Sequence, residues 1–240
     1  MGRAYEVRKS AMAKSSAAKA KLYSRYGKEI FQAAKTGVPD PEMNITLKRL
    51  VEKAKKDQVP ADVVKRAIDK ASSGLGDDYT NNRYEGFGPN GSTIIIDCMT
   101  DNVNRTISDV RHCFTKSNNK IGVTGSVSHM YNEWAIISFT GLTEEETLET
   151  LLMAEIDIVD VEDEDGLITV YGLSQDLYNI KTTLEESSDI NIEFDEISMV
   201  PMNHVTLEGE DLDSFNKLVS MLDEIDDVDQ VYHNVQLDEE

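Results

Sequence analysis

The amino-acid sequence predicts an α+β protein, with a small three-helix bundle followed by a split α/β domain that has a second α/β module inserted into it. Three observations predict this fold class. Apolar residues recur at helical spacing up to residue 71, segments rich in β-branched residues alternate with helical segments after residue 84, and the net charge changes sign between the two parts. Hydrophobic residues make up 40% of the 240 residues, which is sufficient for globular cores.

The charge distribution is strongly asymmetric. The chain has a net charge of −21, but residues 1–74 contain 17 Lys and Arg against 8 Asp and Glu, while residues 75–240 contain 7 against 37. Such asymmetry is typical of a basic nucleic-acid-binding module joined to acidic domains with another role. The alternative is that the basic part docks on the acidic part of the same molecule through weak, salt-screened ion pairs.

The N-terminal segment, residues 3–21, has Lys and Arg among Ala and Ser and few large apolar side chains to bury. We therefore expect an exposed arm or a marginal helix that becomes ordered when phosphates neutralise it. Three helices follow. Apolar residues recur at helical spacing from Leu22 to a stop at Gly37, again across 47–54, and, after a proline, across 64–71.

A basic stripe is predicted on the second helix, where Arg49, Lys53 and Lys56 stand at i, i+4 and i+7 on the side away from the core. Cations spaced in this way can follow a phosphate backbone, and a solvated helix face is the alternative. Arg105 can contact either phosphate or a neighbouring carboxylate. The candidate nucleic-acid-binding residues are Arg8, Lys9, Lys14, Lys19, Lys21, Arg25, Lys28, Arg49, Lys53, Lys56, Lys65, Arg66 and Arg105.

The α/β part begins after SSGLGDD at 72–78, which predicts a linker. YEGFGPNG at 84–91 predicts a tight turn before a buried strand, and DNVNRT at 101–106 opens a helix with Asn104 as candidate N-cap. GSVSHMYNEWAIISFTG at 125–141 predicts two strands joined by a turn near its Asn-Glu pair, which completes a βαββ unit.

A second module is predicted from Thr143, whose spacing to Glu146 indicates a capping box, through a strand, an acidic turn, a strand, a helix and a strand. A final helix and strand, after residue 210, complete the interrupted βαββ unit. The predicted domains are a basic helical domain with its N-terminal arm at 1–76, a split α/β domain at 77–141 plus 206–240, and an inserted α/β domain at 142–205.

No catalytic or metal-binding pattern is evident. The four histidines are scattered, Cys98 and Cys113 form no CxxC pair, and YEGFGPNG lacks the GxxxxGK[ST] of a P-loop. Without a zinc-finger, RNA-recognition or helix-turn-helix pattern, direct base readout is not predicted either. We expect a non-enzymatic protein without a cofactor or metal, and a cytoplasmic one, because neither an apolar run of membrane-spanning length nor a secretory signal is present.

Two other functional hypotheses remain open at this stage. A small-molecule-sensing or enzymatic domain is compatible with the predicted α/β sheets, because a fold alone does not specify a function. A protein-binding adaptor whose acidic faces mimic nucleic acid is also compatible, and it would bind basic proteins.

Four motifs together resemble the YebC/PmpR family: YEGFGPNG, DNVNRT, KSNNKIGVTGSVSHMY at 116–131 and VYHNV at 231–235. The resemblance spans nearly the whole chain. It implies an N-terminal three-helix domain and two ferredoxin-like domains, one inserted in the other. It also implies a probable DNA-binding transcriptional regulator, or alternatively a ribosome-associated translation factor that contacts ribosomal or transfer RNA and relieves stalling at proline-rich stretches.

Two departures from the family pattern are present. The chain starts with GRAYEVRK where many members have Gly-His-Ser-Lys-Trp, which is similar to the YeeN-like branch, and it has Asn118-Asn119 where many members have Gly-Gly. Asn tolerates a positive φ better than other non-glycine residues, so we expect the turn to be preserved.

Overall fold

A computed structural model of the chain describes residues 16–74, 76 and 78–236. The described residues fall into two compact units: a first unit within 16–127 and 205–235, and a second unit of residues 128–204 with residue 236. The first unit contains the helical bundle and a four-stranded sheet, and the second contains another four-stranded sheet. The predicted α+β fold class is confirmed.

The helices and strands follow one another in this order: α1 (Ser16–Thr36), α2 (Ile45–Lys56), α3 (Ala61–Ser72), β1 (Thr80–Phe87), β2 (Thr93–Thr100), α4 (Val103–Lys116), β3 (Lys120–Ile121), β4 (Tyr131–Thr140), α5 (Glu144–Met153), β5 (Ile158–Glu164), β6 (Leu167–Leu173), α6 (Leu177–Ser187), β7 (Asn191–Pro201), β8 (Val205–Thr206), α7 (Gly209–Asp223), β9 (Val228–His233) and β10 (Val235–Gln236).

The three predicted helices of the bundle are confirmed. Tyr26 and Ile30 of α1 and Leu47 and Ala54 of α2 are buried in a common core with apolar residues of α3. Asn44 begins α2, because its side chain accepts a hydrogen bond from a backbone N–H of the first turn. Helix α1 begins six residues before the predicted start, so the predicted arm overlaps it at residues 16–21, and the remainder of the arm lies outside the described residues.

The first sheet is antiparallel, with strand order β3-β1-β2-β9, and α4 and α7 contribute to the core beside it. The sequence predicts a turn over the whole motif at 84–91. In the structure, its first four residues belong to β1, which begins at Thr80, and only residues 88–91 form the turn. Helix α4 is capped by Asn102, whose side chain accepts from the Arg105 N–H, and not by Asn104.

The second unit is a complete βαββαβ fold with strand order β5-β6-β4-β7, the order of a ferredoxin-like domain. The predicted capping box of Thr143 and Glu146 is present at the start of α5. The predicted turn near Asn132 and Glu133 is wrong. Strand β4 is continuous because the eleven-residue β7 pairs with it from Tyr131 onward, which places β4 in the second unit and moves the boundary from residue 142 to residue 128.

Candidate nucleic-acid interface

One side of α1 is polar and packs against the first sheet. Its residues recur at i, i+4, i+7, i+11 and i+14, so they lie along one face of the helix, away from the bundle core. We call this set the α1 stripe: Lys21, Arg25, Lys28, Gln32 and Lys35. Both long faces of α1 are therefore in contact with other parts of the first unit.

Lys28 is the buried centre of the α1 stripe, with 9% of its surface exposed. Its ammonium group donates to the carbonyl oxygens of Met99, at 3.0 Å, and of Asp226, at 2.6 Å. It also lies 3.7 Å from a carboxylate oxygen of Asp227. A buried cation held in this way is a structural connection between the bundle and the sheet.

The ends of the α1 stripe make similar connections. Lys21 donates to the backbone carbonyl of Asp223 at 3.1 Å and lies 3.5 Å from its carboxylate. Lys35 donates to the carbonyl of Gly76 at 2.9 Å and pairs with Asp78 at 2.8 Å. The basic part of the chain thus docks on the acidic part of the same molecule along this helix, as the alternative interpretation of the charge asymmetry required.

Arg105 also has an intramolecular role. Its guanidinium lies 2.6 Å from Asp227 and 2.9 Å from Asp101, and the hydroxyls of Thr100 and Thr106 donate to the same Asp227 carboxylate. Burial by itself would raise the pKa of Asp227, but the hydrogen bonds from Arg105, Thr106 and Thr100 outweigh it and lower that pKa. Asp227 therefore stays ionised between the two cations, Arg105 and Lys28.

A cleft of about 380 Å³ lies beside the α1 stripe, between α1 and strands β1, β2 and β9. Two ion pairs line it: Arg25 with Glu29, at 2.9 Å, and Arg83 with Asp97, at 2.6 Å. Asp229 lies there too, and burial raises its pKa to about 6 although nearby cations of the stripe oppose the shift. The cleft is thus a mixed-charge surface rather than a continuous basic one.

Five further cations of the bundle lie on the outer side of α2 and α3. Arg49 and Lys56 are exposed and Lys53 is half-buried, all on the side of α2 away from the core. On α3, Arg66 pairs with Asp62 at 2.7 Å but leaves 70% of its side chain exposed, and an exposed surface pair of this kind is weak. We call the following residues the outer cations: Arg49, Lys53, Lys56, Lys65 and Arg66.

The thirteen predicted site residues therefore separate into three groups. Arg8, Lys9 and Lys14 lie outside the described residues. The second group is Lys19, which is exposed on α1, and the outer cations, all exposed except the half-buried Lys53. The third group makes intramolecular contacts: Lys21, Arg25, Lys28 and Arg105. Lys28 and Arg105 are removed from the candidate interface, because their charged groups are bound to Asp227. The heptad-like spacing of the α1 stripe is visible in the sequence, and it is the feature that indicates that α1 packs on a second, polar side.

A buried carboxylate that the sequence did not reveal organises the family motif at 116–131. Glu85, only 2% exposed, accepts hydrogen bonds from the backbone N–H groups of Gly125, at 2.8 Å, and Val127, at 2.5 Å. It therefore fixes the loop that follows β3. Asn118 has a φ of 55°, so the asparagine adopts the positive φ that was expected of this turn.

Gly86, in the YEGFGPNG motif, is needed for close packing. A Cβ atom there would lie 2.3 Å from the Phe114 ring.

Burial raises the pKa of the Cys98 thiol to about 12, so that thiol is a poor nucleophile. Among the described residues, no three His, Cys, Asp or Glu side chains are grouped so that they could hold a metal ion, and none of the described helices is long and apolar enough to cross a membrane.

Comparisons with known proteins agree with this architecture. Residues 3–74 match the TACO1/YebC protein N-terminal domain, and residues 79–235 match the TACO1/YebC second and third domain. A "probable transcriptional regulatory protein" of Vibrio campbellii is 54% identical over 99% of this chain and 100% of its own length, and one of Pseudoalteromonas atlantica is 51% identical over 100% and 99%.

A solved structure is similar as well. The crystal structure of a conserved hypothetical protein from Aquifex aeolicus superposes with a TM-score of 0.77 at 34% identity and covers 95% of this chain and 94% of its own. The two domain matches together span nearly all of the sequence, in the same order as the bundle and the two α/β domains. The chain therefore belongs to the TACO1/YebC family.

Proposed function

We propose that the chain is a non-enzymatic regulatory protein that binds nucleic acid through the outer cations of α2 and α3, with duplex DNA as its target in a transcriptional role. The observation that carries the proposal is the division of the bundle's charges. The cations of the α1 stripe are used inside the molecule, whereas the outer cations face away from the core. The names of the relatives, probable transcriptional regulatory proteins, support the choice of DNA.

Binding of this type is made through contacts with the phosphate backbone. Lys and Arg on two short helices release counterions from the nucleic acid and so contribute a sequence-independent free energy that salt weakens. The sequence offers no helix with a recognisable base-reading pattern, so sequence preference would arise from nucleic-acid shape or from a partner protein.

A ribosomal target is the second candidate, and the charge of the second unit favours it. Residues 128–204 contain 19 Asp and Glu and one cation, Lys181, which is paired with Asp195 at 2.9 Å. Naked duplex would repel this unit, whereas a ribonucleoprotein presents RNA phosphate to the bundle and basic protein surfaces to the acidic unit.

Charge reversal tests the interface. The triple variant Lys56→Glu, Lys65→Glu, Arg66→Glu should bind a fluorescent DNA duplex at least about ten-fold more weakly than the parent at moderate salt, because three phosphate contacts are replaced by repulsion. The matched control reverses three exposed cations of the first unit outside the bundle, with the same change in net charge: Arg111, Lys116 and Lys120. Equal weakening in both variants would show that only the net charge matters and would reject the interface.

The target is distinguished by sedimentation of cell lysate on sucrose gradients at low and raised salt, with and without gentle nuclease treatment. Salt-sensitive migration with ribosomal particles, lost in the triple variant, would select the translation role. Migration at the top of the gradient, together with binding of duplex DNA at physiological salt, would select the transcriptional role.

A further inference from the structure

Helix α5 of the second unit exposes apolar side chains to solvent. Leu148 is 42% exposed, and Leu152 and Met153 are each 78% exposed. The helix has only ten residues, and Leu151 is its one fully buried large apolar side chain. Single exposed apolar residues are ordinary, but three on one short helix form a contiguous patch of the type used for contacts with other molecules.

The patch lies on one side of the helix. Leu148 and Leu152 are one turn apart, and Met153 follows on the adjoining side. Glu145 and Glu149 project from the same arc of the helix and are exposed. Around the helix axis both carboxylates fall between Leu152 and Met153, so the surface interleaves apolar contact area with negative charge.

The charge of this unit determines what can bind there. With 19 carboxylates and a single, paired lysine in residues 128–204, the unit repels nucleic acid and anionic membrane surfaces. A second copy of the same helix would bring Glu145 and Glu149 against their equivalents. A partner with apolar side chains interspersed with Lys or Arg complements both the apolar and the charged parts of the patch.

We propose that the exposed face of α5 is a docking site for an amphipathic, Lys- and Arg-rich helix of another protein. Leu148, Leu152 and Met153 receive the apolar residues of that helix, and Glu145 and Glu149, which lie among them, pair with its cations. Docking of an amphipathic helix through residues one turn apart is a recurrent mode of peptide recognition. The site belongs to the second unit and includes none of the outer cations, so it does not depend on the nucleic-acid proposal.

The test uses the full chain and a synthetic amphipathic peptide of leucines and lysines, with a control peptide in which serine replaces every leucine at the same charge. Backbone NMR shifts on adding the leucine peptide should concentrate on residues 144–155. The variant Leu152→Gln, Met153→Gln should bind it about ten-fold more weakly, because two exposed anchors are lost. Both side chains are largely exposed, so we expect the variant to unfold at the parent's temperature.

The matched control variant is Met130→Gln, Met202→Gln, which removes two exposed methionines of the same unit beside the ends of β4 and β7. It should bind the leucine peptide as the parent does. The proposal is overturned if the leucine peptide does not bind at millimolar concentration, if the serine peptide binds equally well, or if the shifts lie elsewhere. It is also overturned if sedimentation shows that the α5 face instead holds a second copy of the chain, through a dimer that the α5 variant loses.

Discussion

Lys28 joins the bundle to the first sheet at a single buried point. Its contacts with two backbone carbonyls and with Asp227 leave its charge with complete partners despite its burial. A buried ion pair of this kind adds little net free energy compared with an apolar pair, but removing one partner leaves the groups it contacted short of a hydrogen bond. Lys28 is therefore a structural residue in a helix whose composition resembles a phosphate-binding one.

The variant Lys28→Met keeps the packing of the side chain but removes its charge and its hydrogen bonds. We expect the free energy of unfolding to fall by about 2 to 4 kcal/mol, because two backbone carbonyls, one of them buried, and part of the Asp227 carboxylate lose their donor. Urea unfolding followed by circular dichroism measures this loss. The exposed control Lys65→Met should change stability by less than about 0.5 kcal/mol, and equal effects of the two substitutions would refute the buried role.

Asp229 makes the stability of the first unit depend on pH. Burial raises its pKa to about 6 in the folded protein, against 3.8 for an ordinary aspartate. Between these values the folded state binds the proton more tightly than the unfolded state, so the contribution of Asp229 to stability is greatest below about pH 4 and is lost as the pH rises through 6. Asp227, whose pKa is lowered, remains ionised in the upper part of this range.

Asp229→Asn should therefore be more stable than the parent at pH 8, by on the order of 1 to 2 kcal/mol after allowance for solvent screening. The difference should shrink as the pH is lowered and disappear near pH 4, where the parent is protonated too. Urea unfolding of both proteins across this range measures it. A difference that stays constant with pH would mean that Asp229 does not titrate as its burial requires.

At the scale of elements, α1 is buried on two sides, by the apolar core of the bundle and by the sheet beneath the α1 stripe. Within the described part of the chain, helix α5 is covered on one side only and exposes an apolar patch on the other. The two helices should therefore differ in how often they open locally, because local opening is easiest where few buried contacts must break.

Hydrogen exchange measures this difference. The amides of Tyr26 to Ala34 should exchange only through global unfolding, whereas those at the C-terminal end of α5 should exchange at least about ten-fold faster through local opening. In Lys28→Met, the α1 amides should lose protection more than the α5 amides do. Comparable protection of the two helices in the parent would contradict the two-sided burial of α1.

The helices and most strands were predictable from the sequence because their apolar periodicity is local. Strand β4 was not, since Asn132 and Glu133 resemble a turn and only the distant β7 keeps them extended. Likewise, the spacing of the α1 stripe indicates a polar helix face, but whether that face meets phosphate or Asp223, Asp227 and Asp78 depends on a sheet formed by residues far along the chain.

At the scale of the whole molecule, the number of cations in residues 1–74 overstates the basic surface that faces solvent. Part of the basic surplus of residues 1–74 neutralises carboxylates of the first unit, so fewer cations face solvent than the sequence count of 17 implies. Charge counts predicted the presence of a basic module but overestimated its accessible surface. The second unit keeps nearly all of its negative charge, which favours a protein partner there.

The salt dependence of duplex binding tests the central claim most directly. The slope of log Kd against log salt concentration counts the phosphate contacts, at about 0.9 per contact on duplex DNA. If the outer cations make those contacts, the slope of the triple variant Lys56→Glu, Lys65→Glu, Arg66→Glu should be smaller than the parent's by about 2.7, while the control reversed at Arg111, Lys116 and Lys120 should keep the parent's slope. Equal slopes in the parent and the triple variant would show that the bundle's outer face does not touch phosphate.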